Sequence, residues 1–161
     1  MIKLGKLTDY AIAVMGQLVH EAADSSAQGE GTMSSSAHYL SSRTGIPEPT
    51  IAKVLKMLAK GGLVVSARGA AGGYRLAKPA GQISIGEIIA VMDGPVAIVS
   101  CVDPGQEPCM MSETCPTRHG WSRVNDAIKS ALDGVKLTEM LSAPACGKVH
   151  DFMKGEDAGC A

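Results

Sequence analysis

Aromatic residues are scarce in this chain, with one Phe, one Trp and three Tyr among 161 residues. A β-sandwich draws much of its core volume from buried aromatics, so the core here must be aliphatic and methionine-filled, which favours packed helices. Long apolar runs are also missing. The opening Met1-Ile2-Lys3-Leu4-Gly5-Lys6 is broken by lysines, and nothing later approaches the ~20 apolar residues needed to cross a bilayer. A cytoplasmic location with no membrane partner is therefore expected. No internal repeat occurs, and no nucleophile–base pairing or phosphate loop stands in a proper context, so the chain is not expected to be an enzyme. The five cysteines (Cys101, Cys109, Cys115, Cys146 and Cys160) are an odd number in a chain without an export signal, which argues against a disulfide framework and for metal or redox chemistry.

Charge of one sign is nearly absent from one segment. Between residues 43 and 78, Arg43, Lys53, Lys56, Lys60, Arg68, Arg75 and Lys78 are opposed only by Glu48. The acidic excess lies later, in Asp103, Glu107, Glu113, Asp126, Asp133, Glu139, Asp151, Glu156 and Asp157 among others. The overall formal charge of -1 conceals this asymmetry, which points to a polyanionic partner for the middle of the chain.

Apolar spacing predicts a first helix over residues 7–21, followed by a polar loop over 23–34. Ser35 or Ser36 can cap a short second helix over 37–43, which Gly45 can close in the left-handed conformation. Pro47 and Pro49 then mark the start of a third helix over 48–60 with Ile51, Val54, Leu55 and Leu58 as its buried stripe. Residues 63–67 and 74–77 make a β-hairpin around a glycine-rich tip, and a further amphipathic helix carries Ile85, Ile88, Ile89 and Met92. After a proline-broken cysteine loop, Trp121, Val124, Ile128 and Leu132 restore a helical stripe that needs a partner surface, and Thr138 can cap one more turn. The expected fold is mainly α with a small β-hairpin. It divides into a winged helix-turn-helix domain (1–95), a cysteine loop (96–119), a dimerisation helix region (120–144) and a flexible tail (145–161).

Two helices joined by a tight turn, followed by a basic hairpin, suit double-stranded DNA. The third helix is the recognition element. Glu48, Pro49, Thr50 and Lys53 can meet base edges in the major groove, and Lys56 and Lys60 are placed for phosphates. Arg68 at the wing tip can enter the minor groove, beside Gly69, Gly72, Gly73 and Arg75, where glycines let backbone amides approach phosphates.

The second constellation is Cys101-x7-Cys109-x5-Cys115-x3-His119. Structural zinc sites commonly use Cys-x2-Cys knuckles, which are missing, whereas wide intervals broken by proline suit a loop wrapped around an iron–sulfur cluster. Three incidental thiols are the plain alternative. Cys146 and Cys160, like His20, His38 and His150, lack spaced partners and are assigned no role.

Leu7-Thr8-Asp9-Tyr10-Ala11, Gly61-Gly62-Leu63-Val64, Arg68-Gly69-x2-Gly72-Gly73-Tyr74-x-Leu76 and the three-cysteine loop together resemble the Rrf2 family of winged-helix transcriptional regulators, over nearly the whole chain to about Leu141. Within it the chain looks most similar to regulators of Suf-type iron–sulfur cluster assembly operons. The resemblance implies a homodimer through helix 120–132 on a partly palindromic operator, acting as a repressor that senses cluster, iron or redox status. It also implies that Cys101, Cys109 and Cys115 bind a 2Fe-2S or 4Fe-4S cluster. The fourth ligand is open between His119, which stands farther from Cys115 than the family's histidine, and Asp9, which matches an aspartate that some members donate from the partner subunit. The first cysteine interval is also longer than is common in the family. Two other readings stand beside this one, a thiol- or zinc-based winged-helix sensor and an iron–sulfur carrier.

Overall fold

The computed structural model of the chain describes residues 4–27, 34–67, 72–103, 105, 107, 109–111 and 114–142, with side chains 24–27 outside that description. Six helices and one hairpin follow in order: α1 (Lys6–Ala27), α2 (Ala37–Thr44), α3 (Glu48–Lys60), β1 (Val64–Ala67), β2 (Gly73–Leu76), α4 (Ile85–Met92), α5 (Arg118–Gly134) and α6 (Leu137–Ser142). Short 3-10 turns stand at Ala80–Gln82 and Ser100–Val102. The architecture is the expected mainly helical winged helix-turn-helix.

Local chemistry accounts for the helix-turn-helix. Ser36 caps α2, its hydroxyl accepting from the Tyr39 N–H at 3.1 Å. Ser35 is occupied elsewhere, exchanging two backbone hydrogen bonds of 2.9 Å with Tyr74 and so adding a short third partner to the hairpin. Gly45 ends α2 at φ 70°, where a Cβ is strained, and its N–H returns to the Ser41 carbonyl. α3 then starts at Pro47-Glu48-Pro49, whose missing N–H groups belong to a turn that needs none.

The first helix runs to Ala27 rather than stopping at residue 21. Polar composition alone does not end a helix, and the chain holds no Gly or Pro between Gly16 and Gly29. The hairpin pairs Val64 with Leu76 and Ala67 with Gly73, one residue off the expected spans at each arm's start. The last helix begins at Leu137 instead of being capped by Thr138, because the Glu139 carboxylate reaches back to the Lys136 N–H at 2.7 Å.

A single aliphatic core joins α1 (Ala11, Val14, Met15, Leu18), α3, the base of the hairpin (Leu63, Val64) and α4 (Ile85, Ile88, Ile89, Met92). Ser84 and Glu87 form a capping box at the start of α4, and Lys78 bonds Glu87 at 2.6 Å. That ion pair and the Ser84 N–H hold the Glu87 carboxyl below the usual carboxylate range. At the other end of α4, the Asp93 carboxylate accepts the Gly5 N–H at 3.0 Å and so caps the distant start of α1. Leu137 of α6 is fully buried in the same core.

Gly73 shows how tightly the wing is seated. A methyl group there would stand 2.8 Å from the Ser35 carbonyl carbon and oxygen, which are backbone and cannot swing aside. Gly73→Ala should destabilise the chain by about 1–3 kcal/mol through overpacking, whereas Gly81→Ala, 3.9 Å from the Thr138 hydroxyl, should be tolerated. Thermal denaturation of the two variants checks this; equal melting temperatures would contradict the close seating.

Candidate nucleic-acid interface and cysteine loop

The faces of α3 are sharply divided. Ile51, Val54, Leu55 and Leu58 are wholly buried, while Glu48, Pro49, Ala52, Lys53, Lys56 and Lys60 are exposed and Thr50 is half-buried. Residues 49, 53, 56 and 60 recur at three- and four-residue steps and therefore share one face. Among the described residues, no carboxylate pairs with Lys53, Lys56, Lys60 or Arg75. A row of cations without internal counter-charges is free to neutralise phosphates. Lys78, counted with the basic segment from sequence, is instead tied to Glu87.

Glu48 is not free in the same way. Its carboxylate lies 3.0 Å from Nδ1 of His38, near the start of α2, so the pair bridges the two helices of the motif across the turn. The sequence carried no signal for this contact. Arg75 is exposed on β2 opposite Val65, and Gly72 and Gly73 lead into that strand. Arg68 and Gly69 lie outside the described residues.

Cys101 sits in the 3-10 turn Ser100–Val102, Cys109 in the following loop, and Cys115 shortly before α5; all three are half-buried free thiols. His119 is exposed in the first turn of α5, and Asp9 is exposed in the first turn of α1. Three thiols with a nitrogen or oxygen donor are suitable in chemistry for an iron–sulfur cluster. Their positions are not gathered: among the described residues, no three His, Cys, Asp or Glu side chains close on one point. Cys146 and Cys160 lie outside the described residues.

Cys115 has a distinct environment. The Thr117 hydroxyl, 3.3 Å from its Sγ, holds the thiol below its ordinary range, helped by the Thr117 and Arg118 N–H groups and the Arg118 charge. Nothing in the cysteine spacing revealed this; the signal was Thr117 standing just before a helix. Asn125 was also missed. It is a buried polar residue amid the apolar stripe of α5, bonded to the backbone of residues 96 and 98. The stripe itself divides: Leu132 packs against the core, while Trp121 and Val124 remain 40% and 45% exposed.

Among the described residues, no helix is long and apolar enough to cross a membrane. Residues 4–143 match the family model Rrf2, described as an iron-dependent transcriptional regulator. The HTH-type transcriptional regulator IscR of Cronobacter sakazakii is 35% identical over 117 residues, covering 73% of this chain and 71% of that protein. Among solved structures, CymR, the global cysteine regulator of B. subtilis, is similar at TM-score 0.66 and 28% identity over 89% of this chain and 99% of its own. IscR of T. potens is similar at TM-score 0.62 and 25% identity, over 94% of this chain and 96% of its own. These relatives are named as regulators, in line with the expectation that the chain is not an enzyme.

The Cys115 environment makes a direct prediction. A thiol whose pKa is lowered becomes thiolate, and so reactive, at lower pH. Alkylation of Cys115 by iodoacetamide should therefore reach half its maximal rate below the ~8.5 of a free thiol, and Thr117→Ala should move that midpoint upward. Site-resolved mass spectrometry across a pH series measures both, and identical midpoints in the two proteins would contradict the assignment.

Proposed function

The chain belongs to the Rrf2 family of transcriptional regulators, and on that footing we propose that it is an iron–sulfur-cluster-dependent repressor of Suf-type cluster assembly genes. It binds a partly palindromic operator as a homodimer. The observation that carries the DNA-binding side is the exposed, unpaired row of Lys53, Lys56 and Lys60 on a helix whose opposite face is wholly buried.

In this reading α3 lies in the major groove. Its N-terminal residues Glu48, Pro49, Thr50 and Lys53 approach base edges, with Glu48 oriented by His38, and Lys56 and Lys60 contact phosphates. Arg75 meets the backbone beside the wing, and the tip residues Arg68 and Gly69, with Gly72 and Gly73, follow the neighbouring minor groove. Two copies joined through the exposed Trp121 and Val124 of α5 present their recognition helices about 34 Å apart, one turn of the duplex.

Cys101, Cys109 and Cys115 would hold the cluster, with His119 or the partner subunit's Asp9 as the fourth donor. A bound 2Fe-2S or 4Fe-4S cluster would supply sensitivity to iron supply and oxidants at its non-thiolate corner. For the three thiols to converge, residues 101–115 must close up, and this segment runs directly into α5. Its closure and release therefore alter the seat of the dimer helix, which couples a sensing site to a DNA site.

A second reading has its own support. The likeness to a protein named as a cysteine regulator and the lowered pKa of Cys115 suit a sensor that uses thiols without metal. One experiment separates the readings. Anaerobically purified protein should contain iron and labile sulfide, lose both in Cys101→Ala, and protect two half-sites in its own promoter region, with different affinities before and after cluster removal at fixed salt. Protection without iron and sulfide would establish the thiol reading, and no protected site would leave a cluster carrier.

A further inference from the structure

α5 is fastened to the rest of the chain at two places of different kind. Near its C-terminal end, backbone bonds Ile85 N–H to Val135 carbonyl (3.0 Å) and Leu137 N–H to Ile83 carbonyl (2.9 Å) tie it to the segment that starts α4. That end moves with the winged domain. In its middle the fastening is a side chain. Asn125, 8% exposed, accepts the Ile98 N–H at 3.2 Å and donates from Nδ2 to the Val96 carbonyl at 3.1 Å.

The chemistry of this contact is specific. Residues 96–98 lie in no helix or strand, so their backbone groups need partners from elsewhere. A carboxamide supplies one donor and one acceptor in a planar fork, which an aliphatic side chain at a helix–loop contact cannot do. The same segment continues through Val99 into the 3-10 turn that carries Cys101. On α5, Asn125 adjoins Val124 and stands one turn beyond Trp121, the two exposed apolar residues of its first half. A cavity of about 490 Å³ bordered by Pro95, Val96, Val102 and Asn125 leaves room for the segment to shift against the helix.

We propose that Asn125 is the positioning residue through which the cysteine-bearing segment acts on α5. Displacement of residues 96–102 is passed to the middle of α5 through the two amide hydrogen bonds, while the end of α5 stays fixed to the winged domain. The exposed face of the helix tilts, and with it the spacing of two recognition helices. The inference rests on the sensor reading given under Proposed function and adds the residue that links sensor to seam.

The test uses the full-length chain with Asn125→Ala and Asn125→Asp. Aspartate keeps the acceptor for the Ile98 N–H and loses the donor to the Val96 carbonyl. Two quantities are read: iodoacetamide labelling rates of Cys101 and Cys109 in the cluster-free chain, and the ratio of operator affinities of cluster-loaded and cluster-free protein at fixed salt. In wild type that ratio is expected on the order of tenfold. Asn125→Ala should speed labelling of Cys101 several-fold, leave Cys109 unchanged, and bring the ratio close to one without altering cluster-free affinity; Asn125→Asp should fall between. A merely structural role would lower cluster-free affinity and the ratio's two terms alike. Should Asn125→Ala fail to fold, Asn125→Asp decides by the same readouts. A wild-type ratio that survives in the folded variants, with unchanged Cys101 labelling, overturns this inference alone. A wild-type ratio of one overturns the sensor reading and this inference with it.

Discussion

Burial of Ile51, Val54, Leu55 and Leu58 is the constraint from which the rest of the architecture follows. Each fully buried aliphatic side chain contributes about 1.5–3 kcal/mol relative to exposure. Four on one face fix the rotation of α3 about its own axis, and with a 3.6-residue period that also decides where every other side chain of the helix points. Lys53, Lys56 and Lys60 face outward because the opposite face has no freedom to turn. Had they found carboxylates on neighbouring elements, their charge would be spent inside the molecule; among the described residues the two ion pairs are His38–Glu48 and Lys78–Glu87.

α4 connects this face to the rest. It packs on α1, α3 and α5, and its ends are pinned by the Ser84–Glu87 capping box and by Asp93 at the start of α1. The winged domain is thereby rigid up to residue 93. Beyond it the chain changes character: a loop with few regular hydrogen bonds, three half-buried thiols, then a helix with exposed Trp121 and Val124. Low local order beside a rigid scaffold is where a ligand-dependent rearrangement can occur at modest energetic cost. The chain returns at residues 135–137 to pair with 83–85, so the loop is closed at both ends by the same scaffold.

Much of the fold was legible in the sequence because its signals are local. Pro47, Pro49 and Gly61 bound α3, the alternation of four aliphatics set its buried face, and Gly45 marked the turn. The extension of α1 to Ala27 was not legible from a polar run, since serine, aspartate and alanine can all sit in a helix. Contacts distant in sequence were invisible: Asp93 with Gly5, His38 with Glu48, Ser35 with Tyr74, Asn125 with residues 96 and 98. The cysteine spacing named three thiols and their order, but convergence depends on loop conformation, which spacing does not determine.

The central claim is that the cations of α3 engage a DNA backbone, and the salt dependence of operator binding tests it most directly. Each phosphate contact removed should reduce the slope of log affinity against log salt by about 0.9. The double variant Lys53→Ala/Lys56→Ala, altered only at exposed positions, should bind more weakly with a shallower slope by roughly that amount for each lysine that touches phosphate. An operator affinity and slope identical to wild type would contradict the account.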